Sequence, residues 1–76
     1  MKVEILSPDA HIYQGDADVV TLPGANGSFQ IKNNHAALIS NLQSGELTVQ
    51  NGTELKTFQV SGGLIEVVKN KVTILV

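Results

Sequence analysis

The chain has 76 residues, 42% of them hydrophobic, a net charge of −2 and no cysteine. That length makes one small domain, residues 1–76, which buries only about 60% of its unfolded surface and has no disulfide or thiolate metal site to compensate. Five Lys and Arg against seven Asp and Glu leave no basic footprint for nucleic acid, no apolar run approaches the roughly 20 residues of a membrane-spanning helix, and the start, Met1 to Asp9, lacks an apolar signal segment, so the expected compartment is the cytoplasm.

Apolar residues recur at a period of two almost throughout. Val3 and Ile5 alternate with Lys2 and Glu4, which predicts a half-buried strand ended by Ser7-Pro8-Asp9. His11 to Gln14 makes a second short strand, stopped by Gly15. Asp16 to Leu22 follows, and its adjacent pair Val19-Val20 predicts burial on both faces or a bulge. Pro23-Gly24 and Asn26-Gly27 then punctuate, because Pro presets one backbone angle while Gly and Asn tolerate positive φ. Between and beyond them lie Ser28 to Lys32, a polar corner at Asn33-Asn34-His35, and an apolar strand from Ala36 to Leu42. So many turn devices around short strands make a loop-rich rim, where function concentrates.

The next hairpin turns near Asn51-Gly52. A two-residue loop at that pair sets Val49 opposite Glu54 and Leu47 opposite Lys56, placing charges on the apolar face. A three-residue loop, Gln50-Asn51-Gly52, sets Leu47 opposite Leu55 and Glu46 opposite Lys56, and is the register expected. Beyond Leu55 the apolar parity shifts to Phe58 and Val60, which calls for a bulge or for a strand with an apolar patch that a partner covers. Ser61-Gly62-Gly63 marks a bend or a close backbone approach. Leu64 to Val68 and Lys71 to Val76 form a last hairpin around Lys69-Asn70. Eight to ten short strands and no 3.6 period predict an all-β fold, a small antiparallel β-sandwich or barrel.

Residues that could carry chemistry are few. His11 and His35 have no cysteine to complete a zinc set and read as turn or surface residues. Asp16 and Asp18 project to one strand face, as a paired-carboxylate site would, but read as charges on a solvated edge. Ser7, Ser40 and Ser61 have neither an adjacent histidine nor a nucleophile elbow. Residues 23–27 are too short for a phosphate loop and lead into no helix. Asn26-Gly27-Ser28 and Asn51-Gly52-Thr53 match the glycosylation triplet but read as turns. Composition and pattern end at a small β domain for binding or assembly, with no catalytic residue, cofactor or metal.

The ordered motifs carry a resemblance. Leu22-Pro23-Gly24, Gly27-Ser28-Phe29-Gln30-Ile31 and Asn33-Asn34-His35-Ala36-Ala37-Leu38 resemble the LPG…EGELGI…NHAPL pattern of the epsilon subunit of F-type ATP synthase at its spacing. Ser61 to Val67 resembles that family's SGG-x-x-EV motif, Asn70 to Leu75 its closing strand, and Ser7-Pro8 with Tyr13-Gln14-Gly15 its opening strand pair. The resemblance implies a ten-stranded β-sandwich in the central stalk, riding on the gamma subunit and resting on the membrane-embedded c-ring. It would couple proton-driven rotation to ATP synthesis without binding the reacting nucleotide, as a peripheral subunit at the cytoplasmic face of the bacterial inner membrane. It further implies that His35, Ser40 and Ser61, with Ser7, face gamma, and that Gly27, Ser28 and Phe29 lie on the loop that meets the c-ring. A bulky charge at Ser61 is then expected to abolish gamma binding, and the same change at Ser28 to spare it.

The chain departs from the pattern at several positions, among them Ser28 where the family has glutamate, Gln30 where it has glycine, and Ala37 where it has proline. The lost acid removes a salt-bridged c-ring contact from the expectation and leaves the loop's location. The family also continues into a C-terminal two-helix hairpin, and a chain stopping at Val76 is expected neither to bind ATP nor to restrain hydrolysis through such an arm. The competing reading is a free-standing β-sandwich that binds a carbohydrate or a peptide, which needs an aromatic platform among Tyr13, Phe29 and Phe58 or an open sheet edge.

Overall fold

A computed structural model describes every residue from Met1 to Val76. Nine strands and no helix follow in order: β1 (Lys2–Ser7), β2 (Ala10–Asp16), β3 (Val19–Gly24), β4 (Gly27–Lys32), β5 (Leu38–Leu42), β6 (Gly45–Asn51), β7 (Glu54–Val60), β8 (Gly63–Val68) and β9 (Lys71–Leu75). They make one continuous sheet in the order β2-β1-β9-β8-β5-β3-β6-β7, with β4 on the other side of β3. The sheet doubles over where β5 meets β3, a junction reduced to one pair, Gly24 opposite Leu42. The two halves, β2-β1-β9-β8-β5 and β4-β3-β6-β7, close on each other as the layers of a sandwich.

The period-two pattern is what fills the space between them. Val3, Ile5, Ile65, Val67, Val72 and Ile74 point in from the first layer, and Val20, Leu22, Ile31, Leu47 and Val49 from the second, all buried in one cluster. Burying each such side chain contributes about 1.5–3 kcal/mol before the entropy of ordering is set against it. The strand count falls within the range expected from the pattern, at nine rather than ten. All pairings are antiparallel except one: β1 runs parallel to β9, from Lys2 beside Lys71 to Leu6 beside Leu75. Nearly the whole chain lies between these two strands, so no short turn dictates their relative direction.

Several local expectations are corrected. The strand expected from Asp16 to Leu22 is broken at Ala17-Asp18, where the chain passes from one layer to the other. Ala17 is buried there, and its N–H donates to the Met1 carbonyl at 2.9 Å. Asp16 and Asp18 therefore do not share a strand face. Asp16 ends β2 beside Lys2, 3.0 Å from its Nζ, and Asp18 accepts the Gly52 N–H at 2.8 Å. The register break lies in β1–β2, between Ile5 and Leu6, and not at Val19-Val20, whose pairing with β4 is continuous. The strand expected from Ala36 starts at Leu38, because Asn34 at φ 63 turns the chain and leaves Ala36 and Ala37 exposed.

The β6–β7 hairpin also differs. Asn51 faces Glu54, so the loop is Gly52-Thr53, with Gly52 at φ 62 in the first loop position, where a type II′ turn needs it. Leu47 consequently faces Phe58, Glu46 faces Gln59, and Val49 faces Lys56. Neither register weighed from the sequence is adopted. A charge on the inward parity is tolerated because Lys56 lies at the rim, with its Nζ 5.4 Å from the centre of the Tyr13 ring. No bulge interrupts β7. Phe58 and Val60 pack against the core, and Leu55 is the outward residue, 60% exposed. The last hairpin turns at Lys69-Asn70 as expected, with φ of 48 and 63, the pattern of a type I′ turn.

Candidate functional site

The outer face of the first layer carries the feature that the sequence placed elsewhere. Leu6 pairs with Leu75, and Leu75 with Leu64, so three leucines stand in one row across β1, β9 and β8, on the face away from the core. Ile39 on β5 adds to this face with 68% of its surface exposed, and Val68 is exposed at its far end. The row ends in a shallow apolar hollow lined by Leu6, Ser7, Pro8, Leu75 and Val76. A signal for this face is present in the sequence: of the apolar doublets, Ile5-Leu6, Leu38-Ile39, Leu64-Ile65, Val67-Val68 and Ile74-Leu75 fall on strands of this layer, and Val19-Val20 on β3 of the other. A doublet in an alternating strand must send one side chain outward. The apolar patch expected around Phe58 and Val60 is therefore absent from that strand, since both face the core.

The residues expected to face gamma do not form one cluster. Ser7 ends β1, and Ser61 lies in the bend before β8. Both belong to the end of the sandwich where Leu6, Leu75, Leu64 and the Gly63–Leu42 pair meet. Ser40 is half-buried in the middle of β5 opposite Ile65, on the inward parity. His35 is exposed at the opposite end, beyond Leu38, about 17 Å away by the rise of the intervening strand.

The backbone around His35 is held by hydrogen bonds rather than by packing, since residues 33–37 are all exposed. The Asn34 N–H donates to Asn70 Oδ1 at 2.7 Å and the His35 N–H to the Lys32 carbonyl at 3.2 Å. The His35 ring meets the Ala36 carbonyl through Nδ1 at 2.7 Å. A carbonyl can only accept, so this contact puts a proton on Nδ1 and leaves Nε2 facing solvent.

Gly27, Ser28 and Phe29, expected on the c-ring loop, open β4 at the tip of the β3–β4 hairpin. Gly27 and Ser28 are exposed, and Phe29 is half-buried against Gly24. Ser28 borders a polar cleft with Thr21, Pro23, Ser44, Glu46 and Thr48. Through Gly24 and Leu42 this tip belongs to the same end of the sandwich as Ser61. The Ser61 and Ser28 substitutions thus probe neighbouring regions rather than opposite faces.

The aromatic residues offer no free platform for a sugar. Tyr13 and Phe58 pack against each other in a tilted arrangement, with centroids 5.7 Å apart and the rings inclined at 58°, and Phe29 lies against Gly24. His11 pairs with Glu4 at 3.3 Å, and no group of three or more His, Cys, Asp or Glu side chains is placed to hold a metal.

Fold and surfaces together define a small two-layer β-sandwich domain whose distinctive features are an outward leucine row at one end of the first layer, on a face that also carries Glu4, Glu66 and Lys71, and a polar hairpin tip. The chain belongs to the family of the ATP synthase delta/epsilon chain, β-sandwich domain, whose model matches residues 1–76. It is 39% identical over 75 residues to the ATP synthase epsilon chain of Leptospira interrogans, a match covering 99% of this chain and 59% of that relative. With the epsilon chain of Caulobacter vibrioides it shares 35% over 71 residues, covering 93% of this chain and 83% of the relative. The chain spans about half to three-fifths of the length of the Francisella tularensis and Leptospira relatives. Two solved structures share its fold. One is a chain of the central stalk/c-ring structure of Tetrahymena thermophila mitochondrial ATP synthase, with a TM-score of 0.84 and 23% identity over 97% of this chain and 60% of that one. The other is a chain of the Euglena gracilis mitochondrial ATP synthase OSCP/F1/c-ring structure, with a TM-score of 0.89 and 22% identity over 96% and 48%.

Proposed function

We propose that this chain is the β-sandwich domain of a non-catalytic central-stalk subunit of a proton-translocating ATP synthase. It docks the gamma subunit onto the c-ring and passes rotation between them without binding the reacting nucleotide. It works at the cytoplasmic face of the bacterial inner membrane, held there peripherally through the complex. The observation that carries this reading is the outward leucine row of β1, β9 and β8 with Ile39 beside it. A small monomer gains nothing by leaving such a face in water, whereas desolvated apolar positions at the centre of an interface supply most of its binding energy. Gamma covers this face, with Ser7 and Ser61 at its margin, Ser40 behind it on β5 and His35 at the far end. The c-ring meets the tip at Gly27, Ser28 and Phe29.

Pull-down titration against recombinant gamma tests the assignment, with circular dichroism as the folding control. Ile39→Glu is expected to weaken gamma binding by about tenfold or more, because it sets a second carboxylate opposite Glu66 inside the interface. Ser28→Glu is expected to leave gamma binding within about twofold and to change the association of the assembled stalk with the c-ring. If Ile39→Glu binds gamma normally while Ser28→Glu does not, the two surfaces are assigned the wrong way round.

A further inference from the structure

We infer that Asn70 is a positioning residue: its side chain ties the exposed corner at residues 33–37 to the β8–β9 turn and thereby fixes where His35 stands for a partner. This rests on the reading of His35 as part of the gamma-facing surface. The corner has no strand partner and no buried side chain, so polar ties alone hold it in place, one of them from the Met1 ammonium to Asn33 Oδ1 at 2.6 Å. Of its N–H groups, that of Asn34 reaches Asn70 Oδ1 at 2.7 Å, across 36 residues of sequence. The backbone carbonyl of Asn70 accepts the Lys2 N–H at 3.1 Å. One residue thus joins the start of β1, the corner and the last hairpin.

The turn itself does not explain the choice of asparagine. In a two-residue type I′ loop both positions need positive φ, and glycine is favoured in the second because it adopts that region without steric cost. Here the second position, at φ 63, carries Asn70, and the first, at φ 48, carries Lys69. Glycine in the second place satisfies the turn and loses the acceptor. Asparagine tolerates the same φ and keeps an oxygen aimed at the Asn34 amide.

Two variants of the 76-residue chain separate these roles. Asn70→Gly keeps the backbone conformation and removes the side-chain oxygen. Asn70→Asp keeps an oxygen at that place and also tolerates positive φ. Amide hydrogen exchange by NMR reads the corner directly, and titration with recombinant gamma reads its consequence. In Asn70→Gly the Asn34 amide is expected to exchange about fivefold faster or more, while the ladder amides of Val67 and Val72 keep their protection. Gamma affinity is expected to fall several-fold, and Asn70→Asp to restore both. An Asn34 amide that exchanges as before in Asn70→Gly overturns the tie, whatever happens to binding. A loosened corner with parental gamma affinity overturns the positioning role. His35→Glu, measured alongside, tests the underlying reading: if it leaves gamma affinity unchanged, His35 is not on that surface, and the role inferred for Asn70 falls with it.

Discussion

Single residues bear unequal weight in a domain this small, and two make the contrast. Gly63, at φ 149, opens β8 where Leu42 and Leu75 flank it, and a methyl group there runs into the Leu75 backbone carbonyl. Backbone cannot yield as a flexible side chain can, so Gly63→Ala combines a strained φ with a clash. It is expected to cost about 2–4 kcal/mol, read as a lowered midpoint in urea unfolding. Asp18 acts by a gentler route. Its carboxylate accepts the Gly52 N–H at 2.8 Å, and its own N–H donates to the Gln50 carbonyl at 2.8 Å, so it pins the β6–β7 turn to the crossing between layers. The carboxylate is solvent-exposed, so Asp18→Ala is expected to cost no more than about 1 kcal/mol, seen as a melting temperature lower by about 4–8 °C at most. A loss several times larger means that the aspartate does more than hold the turn.

At the level of elements, β7 gives the sharpest check on reading a strand from its pattern. Taking Leu55 as the inward anchor made Phe58 and Val60 look misplaced. The strand in fact counts inward from Val60 and Phe58, and Leu55 is the odd one out. Leu55→Thr is therefore expected to change stability by less than about 0.5 kcal/mol, whereas Phe58→Ala loses the Leu47 and Tyr13 contacts and is expected to cost about 2–3 kcal/mol. Denaturant unfolding of the two variants distinguishes the registers, since the three-residue loop demands the opposite ranking. The sequence argument failed because it forbade a lysine on the inward face, a rule that holds for the middle of a sheet and lapses at the rim. The Lys69-Asn70 hairpin was legible because its turn residues and flanking alternation agree. At Gly52 they conflict, with Asn-Gly inviting one loop and the structure closing on Gly-Thr.

For the molecule as a whole, the two layers share one core, and neither buries an apolar face without the other. Unfolding is expected to be a single transition, with amide signals from β4 and from β9 losing intensity at the same urea concentration. A half that melts separately would contradict the shared core. Fold class was legible at this scale because period-two alternation and frequent turn pairs leave few alternatives to a sandwich. The apolar outer face was legible in principle, through doublets such as Ile74-Leu75, but a doublet does not say which member faces in until the pairing is known. The tie between Asn70 and Asn34 was not legible. It joins residues 36 apart through one side chain and leaves no periodic trace. The roles proposed for His35, Ser7, Ser40 and Ser61 rest on family resemblance, since nothing in their own surroundings marks them.

The parallel seam between β1 and β9 has a consequence for how the domain comes into being. Lys2 to Leu6 find their partners at Lys71 to Leu75, so the first strand to be synthesised waits for the last. Until then β8 and β1 each present an unpaired edge, and the first layer exists in two pieces. Contacts of such long sequence separation slow folding, because loop closure must precede any reward from pairing. Refolding from urea, followed by stopped-flow fluorescence of Tyr13, is therefore expected in milliseconds to seconds rather than microseconds. A nascent chain lacking residues 71–75 should remain sensitive to protease even though eight of its nine strands are already made.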